Sequence, residues 1–334
     1  AKALAIDTLE RQTGLRLELG SLSGSLFTNL SATDLRLDGP SGPLLAAERF
    51  SIGYALPLLL KHMLVIRYLR FEGLQVYLVR KADGTWNVEE ETRRFASPSG
   101  EAPSGPPLAV VFKRLAIDTG TLSIRDETSA PPRIRQIENL RLDLQLDIGP
   151  EIEADLRKLA FSLDDPRIVV TGLEGRLRYD QRQAALHVEG LNLKTEASAV
   201  SVDAGITFQQ PDPEISAAAR IDTLSLAELG RVLEADDLKR GDITGRIDLQ
   251  GTPRQLRHRL RLVLDRHLSL TAEGELALTG EGSVALETTG SLTDIDPAAF
   301  LTDPLWAGKV NADFKACRNR TPDWTFRPKP ASVA

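Results

Sequence analysis

The sequence predicts an all-β protein: a long antiparallel sheet that curls into a trough or splits into two, with an N-terminal helix and a few short helices. Three observations carry that expectation. Apolar and polar residues alternate with a period of two through most of the chain, as in Leu15-Arg16-Leu17-Glu18 and Leu140-Arg141-Leu142-Asp143-Leu144-Gln145-Leu146. Successive strand side chains point to opposite faces, so each such segment is apolar on one side only. Turns between many segments are too short for helical crossovers, which predicts a sequential antiparallel meander. About 17 strands at roughly 4.7 Å each would extend to about 80 Å, and open twisted sheets rarely pass about ten strands without curling or splitting.

Taken in order, residues 1–13 carry Leu4, Ala5, Thr8, Leu9 and Gln12 near helical spacing, with Gly14 placed as a helix stop. Strands are expected at 15–19, 33–38, 44–55, 64–72 and 74–80, the last two as a pair, followed by a turn at Asp83-Gly84 and a return at Trp86. Together, residues 14–95 form an N-terminal β-groove region. Residues 96–107, ASPSGEAPSGPP, have no periodicity and predict a flexible loop. Over 108–316, the main β-groove region, strands are expected at 113–118, 121–126, 134–148, 152–163, 167–180, 183–195, 199–209, 214–222, 242–250, 256–265, 268–279, 283–292 and 306–315. The alternation breaks at 225–235, where Leu226, Leu229, Val232 and Leu233 share a helical face and Ser225 with Glu228 has capping-box spacing. Asp296 is placed to cap a second short helix at Pro297–Leu301. Residues 317–334 read as a loosely ordered tail.

Composition excludes several classes. With 42% hydrophobic and 26% charged residues the chain is a folded protein, and a net charge of -6 with both signs interspersed leaves no nucleic-acid footprint. The single Cys317 makes no internal disulfide. The longest apolar stretch, Ala55 to Ile66, is interrupted by Lys61 and His62 and is too short to span a bilayer.

No catalytic, metal or cofactor site is predicted. Asp164-Asp165, Asp236-Asp237 and Asp294-x-Asp296 stand at element ends and read as turn residues and caps. The four histidines, His62, His187, His258 and His267, lack the spacing of a metal motif. Ser21 and Ser23 flank Leu22 between Gly20 and Gly24, which is not a nucleophile elbow. Gly280-x-Gly282 precedes a strand, so no helix N-terminus follows it for phosphate binding.

What recurs is aliphatic surface. Leu15 and Leu17 share one face. So do Leu140, Leu142, Leu144 and Leu146, then Val200, Val202 and Ile206, and then Leu260, Leu262 and Leu264. Two coverings fit this pattern: a second packed sheet, or the acyl chains of lipids in an open trough. Aromatic residues make up only 5%, few for filling a space between large sheets and few for the girdles of a transmembrane barrel.

The stretch TGLRLELGSLSGSLFTNLSATDLRLDGPSGPLLAAERFSIGYALPLLLKHMLVIRYLRFEGLQVYLVRKADGTWN, residues 13–87, resembles the N-terminal region of the AsmA-like/TamB family of Gram-negative envelope proteins. LSLAELGRVLEADDLKRGDITGRIDLQGTPRQL, residues 224–256, resembles that family's helix followed by a GxITGxxxLxG strand, and GSLTDIDPAAFL with LWAGKVNADF resembles a further unit. The resemblance implies a long curved antiparallel sheet, folded like a taco around a hydrophobic groove in the periplasm, that moves phospholipids toward the outer membrane and is held at the inner membrane by an anchor upstream of Ala1, which the helix at 1–13 would continue. It also implies, as an alternative, an assembly factor or scaffold acting through an Omp85-type outer-membrane partner. A closed-core adhesion β-sandwich is the third reading. No catalytic residues come with the resemblance. The tail after Ala316 matches no part of the family pattern.

Overall fold

In a computed structural model the chain is all-β. The structure describes residues 15–89, 109–295 and 310–328, apart from 26, 41, 62, 149–150, 209–211, 234, 236–240, 266–267, 280–282 and 320. The helices expected at 1–13 and Pro297–Leu301 and the loop at 96–107 lie outside the described residues. Among the described residues no helix is long and apolar enough to cross a membrane.

The chain divides into two units, residues 1–148 with 154–171, and residues 149–153 with 172–334. The first holds β1 (Arg16–Glu18), β2 (Leu22–Ser25), β3 (Asn29–Gly39), β4 (Gly42–Ala55), a 3-10 helix (Leu56–Lys61), β5 (Met63–Glu72), β6 (Leu74–Arg80), β7 (Ala109–Phe112), β8 (Arg114–Ile117), β9 (Gly120–Asp126) and β10 (Arg133–Ile148). Strands β11 (Glu151–Leu163) and β12 (Ile168–Asp180) cross the division. The second unit holds β13 (Ala185–Thr195), β14 (Ala199–Thr207), β15 (Glu214–Ser225), helix α1 (Leu226–Leu233), β16 (Asp242–Thr252), β17 (Gln255–Leu264), β18 (Leu268–Thr279), β19 (Ser283–Ile295), β20 (Val310–Asn319) and β21 (Thr321–Pro328).

Within the first unit the expectation of an antiparallel meander is corrected. Strands β5 and β6 are not a hairpin. Both pair antiparallel with β4 as one long run broken at Gly73, whose φ of +62° and close approach to Glu48 favour glycine. Strands β7, β8 and β9 then lie parallel to β5 and β6, as in Leu69 opposite Leu115 and Val76 opposite Leu122. A parallel pairing needs a crossover of about a dozen residues or more, and residues 81–108 supply it. The start of that crossover is tied back to the sheet. Asn87, 4% exposed, donates Nδ2–H to the Tyr77 carbonyl and accepts the Val79 N–H, standing in for a strand neighbour.

A small core forms in this unit. Ala47, Leu74 and Ile117 are buried together, with Leu35, Leu45, Phe71, Val76, Leu140 and Leu142 packed around them.

The second unit is antiparallel from β13 to β21 in every pairing that the described residues make. The expectation of a strandless tail is corrected: residues 317–319 continue β20, and β21 pairs with it from Ala312–Pro328 to Asn319–Thr321. Main-chain pairing along a strand edge needs no side-chain alternation, so the period-two signal misses it.

Candidate functional site

Register decides which residues of the second unit share a face. Direct cross-strand partners lie on the same side of a sheet. One row runs Leu193–Val200–Ile221, then Gly245–Leu262–Leu270, then Leu292–Ala312. The neighbouring row runs Leu191–Val202–Ala219–Ile247, then Leu260–Ala272–Gly290–Phe314. A third joins Leu186, Ile206 and Ile215, and a fourth joins Leu224, Ile243 and Leu264. All six groove residues predicted in this unit therefore stand on one aliphatic face.

Two bulges keep that face continuous. In β13 the apolar positions change from even to odd numbers between Val188 and Leu191. The register shifts there, with Gly190 at φ +56° and its N–H donating to Asp203 Oδ1 at 2.7 Å. In β15 the shift falls between Ile221 and Leu224. A bulge inserts one extra residue, so apolar side chains on either side of it stay on the same face.

The face is not closed by a core. Val200, Val202, Ile206, Leu260, Leu262 and Leu264 are all half-buried. Among the described residues of this unit the buried apolar side chains are Ala185, Ile221, Leu226, Ala272 and Ala312, and three of those are alanines. The inner positions of two packed sheets interdigitate as a dry core, and this face does not have that burial.

The opposite face is charged and neutralised in place. Arg257 meets Glu275 at 3.4 Å, Arg259 meets Glu273 at 3.7 Å, Arg246 meets Asp248 at 2.8 Å and Lys315 meets Glu287 at 2.8 Å. A cleft of about 560 Å³ on this unit runs between Asp248, Arg257, Arg259, Glu273 and Glu275. It is a gap between side chains that already satisfy one another. Exposed pairs of this kind contribute roughly 0–1 kcal/mol each. They keep the outer face wet and define no ligand chemistry.

One polar pair interrupts the aliphatic face. His258, Gly274 and Thr288 are consecutive cross-strand partners, and the Thr288 hydroxyl meets His258 Nε2 at 3.0 Å across the glycine. Thr288 is 6% exposed, and His258 Nδ1 is buried without a hydrogen-bond partner among the described residues. An unmatched buried polar atom costs about 1–3 kcal/mol, whereas replacing both partners of a bond by apolar groups is nearly neutral. The expected result is that Thr288→Val alone destabilises the protein while the double variant His258→Leu/Thr288→Val matches or exceeds wild-type stability, read from urea unfolding midpoints.

Helix α1 closes one end of the face. Its Leu226 is buried, with its N–H donating to the Gly241 carbonyl at 2.9 Å. The capping-box expectation for Ser225 and Glu228 is corrected. The Ser225 N–H donates to Ser198 Oγ at 3.1 Å, and the Ser198 hydroxyl donates to Glu228. Glu228 also accepts from the Thr195 hydroxyl at 2.6 Å and the Ala197 N–H at 3.2 Å. The carboxylate thus ties α1 to the β13–β14 turn. Sequence spacing alone cannot show this, because Ser198 lies 30 positions away.

Burial pushes the Glu228 carboxyl up, but the bonds from Ser198, Thr195 and Ala197, with Arg231 nearby, outweigh it and hold the group below the usual Glu value. A folded-state pKa below the unfolded one gives stability that is complete above the unfolded value and is lost as pH falls through the folded value. Hydrogen exchange of α1 is therefore expected to stay slow at neutral pH and to quicken below the ordinary carboxylate range. Glu228→Gln removes that acid dependence. Glu228→Ala costs roughly 2–3 kcal/mol at neutral pH.

In the first unit the predicted residues fare unevenly. Leu140, Leu142, Leu144 and Leu146 keep one parity along β10, with Leu142 opposite Ile117 and Leu144 opposite Leu115. Leu140 and Leu142, however, pack against the buried cluster and so are partly spent on the core. Leu15 is 4% exposed and is a core residue, not a lining one. Leu17 is half-buried opposite Leu37. For Leu140 and Leu142 the physical reason is the parallel pairing of β5 and β6 with β8 and β9, which encloses a core that period-two spacing does not reveal. Comparison with protein-family models and with curated proteins finds no match for this sequence.

Proposed function

We propose that the protein is a periplasmic lipid-transfer and outer-membrane biogenesis component of a Gram-negative envelope. In this reading it is anchored to the inner membrane and holds phospholipid acyl chains against the aliphatic face of β13–β20. The observation that carries this reading is the continuous, half-buried aliphatic surface of the second unit, whose other face is charged. Each buried methylene contributes about 0.8 kcal/mol, so one acyl chain binds such a surface without any specific polar contact. Chemically similar rows let a chain shift from strand to strand at little cost, and headgroups stay in water at the rim. No side chain is required to react. The experiment is native mass spectrometry with lipid extraction on the purified chain. Co-purifying phospholipid supports the reading, and a folded, lipid-free protein that also fails to take up added phospholipid removes it.

A scaffold reading rests on a different observation. Among the described residues β21 pairs with β20 alone, which leaves a strand edge able to accept a partner strand. An Omp85-type protein is the partner that reading takes. Deletion of 321–328 would then abolish partner capture and spare lipid binding. The half-buried aliphatic face does not favour the closed-core adhesion sandwich.

A further inference from the structure

On the charged face of the second unit three arginines stand directly opposite one another. The row runs Arg220 on β15, Arg246 on β16 and Arg261 on β17, and continues through Thr271 and Ser291 to Asp313. Like charges in directly opposed positions repel, so such a row costs stability unless something offsets it. Two of the three are offset by the same local device. The sequence Arg-Ile-Asp occurs at 220–222 and again at 246–248, and in each the guanidinium Nε–H donates to the aspartate two positions on, at 2.8 Å. Strand β17 carries Arg261-Leu262-Val263 at this place, so the aspartate is missing.

Arg261 is exposed and, among the described residues, makes no ion pair and no side-chain hydrogen bond. The carboxylates around it are taken. Asp222 belongs to Arg220, Asp248 to Arg246, and Glu273 to Arg259 at 3.7 Å. Along the row, the Thr271 and Ser291 hydroxyls bond each other at 2.8 Å. Asp313 lies three strands from Arg261, about 14 Å away. Three guanidinium groups against two aspartates leave one positive charge over. Arg220 and Arg246 commit only Nε, so their Nη groups also remain able to donate. Arg261 opens onto a cleft of about 470 Å³ that Thr271, Ser291 and Asp313 also line.

We propose that Arg261, with Arg246 beside it, binds a phosphate group on the charged face. Arginine is a donor only, and its planar fork takes two oxygens of one oxyanion. A carboxylate has two oxygens, which a single fork occupies. A phosphate monoester carries three acceptor oxygens and a charge of about -1.5 to -2. It takes the fork of Arg261 and an Nη–H of Arg246 together, and so offsets the repulsion between them. The phosphate comes either from a soluble compound or from a lipid headgroup at a membrane surface. The row lies on the face opposite the aliphatic one, so it is not the headgroup end of the acyl-chain site. The inference does not rest on that reading.

The test is equilibrium dialysis of the whole chain against inorganic phosphate, in chloride at constant ionic strength. Saturable binding by the wild type is the expected result. Arg261→Gln lowers it roughly tenfold to a hundredfold, the effect of losing a hydrogen bond to a charged group. Val263→Asp supplies to β17 the aspartate that β15 and β16 carry. It should also remove phosphate binding, while raising the urea unfolding midpoint measured without phosphate. Arg257→Gln is the control, because Arg257 lies on the same strand and face and already pairs with Glu275. Arg257 and Arg261 are exposed, so both glutamine variants should keep the wild-type circular dichroism. Flotation with phosphatidylcholine vesicles, with and without phosphatidic acid, separates the two sources. Capture by phosphatidic acid that inorganic phosphate competes away assigns the site to a lipid headgroup. Phosphate binding without capture assigns it to a soluble anion. No saturable binding to either probe, equal binding by Arg261→Gln, or an equal loss in Arg257→Gln would each overturn the proposal. Acyl-chain retention by native mass spectrometry should be the same in wild type and Arg261→Gln, which keeps this outcome separate from the one that tests the aliphatic face.

Discussion

Val202→Asp/Leu262→Asp is expected to strip co-purifying phospholipid from the protein while leaving its strands intact. The two positions stand in neighbouring rows of the aliphatic face, and both are half-buried. A carboxylate at either site keeps access to water, so folding loses only part of a side chain's burial. An acyl chain lying across the site loses more. Displacing about three methylenes from each contact removes roughly 2.4 kcal/mol, a drop of about fiftyfold in affinity per site. Thr271→Asp is the control, because Thr271 stands on the opposite face, where its hydroxyl meets Ser291 Oγ at 2.8 Å. Lipid retained by the double variant at the wild-type level would mean that the aliphatic face is not where lipid binds.

The second large effect belongs to Gly274. A methyl group at this position would lie 2.0 Å from the Glu287 carbonyl oxygen and 2.7 Å from the Thr288 Cα, both main-chain atoms of β19. No side-chain rotation relieves such a clash, so β18 and β19 must separate or slip. Slipping by one residue would turn the aliphatic side chains of β19 to the charged face. Gly274→Val is therefore expected to cost roughly 3–4 kcal/mol and to lower the melting temperature by about 10 °C. It should also break the His258–Thr288 bond that spans the glycine. Gly172→Ala is the matched comparison. Nothing lies within 4 Å of a methyl group there, so its effect should stay within about 1 kcal/mol.

How much of this was legible in the sequence depends on the range of the interaction concerned. Alternation is a local property, and it located nearly every long strand and the helix at Leu226–Leu233. It missed β2, β7 and β21, which are short or lack alternation. It could not foresee that β5 and β7 run parallel, because chain direction across a crossover is settled by partners more than 40 positions apart. The aliphatic residues were legible as sets within single strands. Their joining into one face required the register and the two bulges, since the pattern in β13 alone places Leu186 and Leu191 on opposite sides. The fate of Leu15, Leu140 and Leu142 required the packing of the first unit.

By itself the sequence determined the all-β class and the one-sidedness of each strand. These follow from side-chain period and residue chemistry, which act over a few positions. The tertiary structure decided which aliphatic residues are enclosed and which remain half-open to solvent. It also decided that Glu228 anchors a helix to a distant turn. Burial and contact are set by what the rest of the chain brings alongside, and a one-sided strand carries no record of its neighbour.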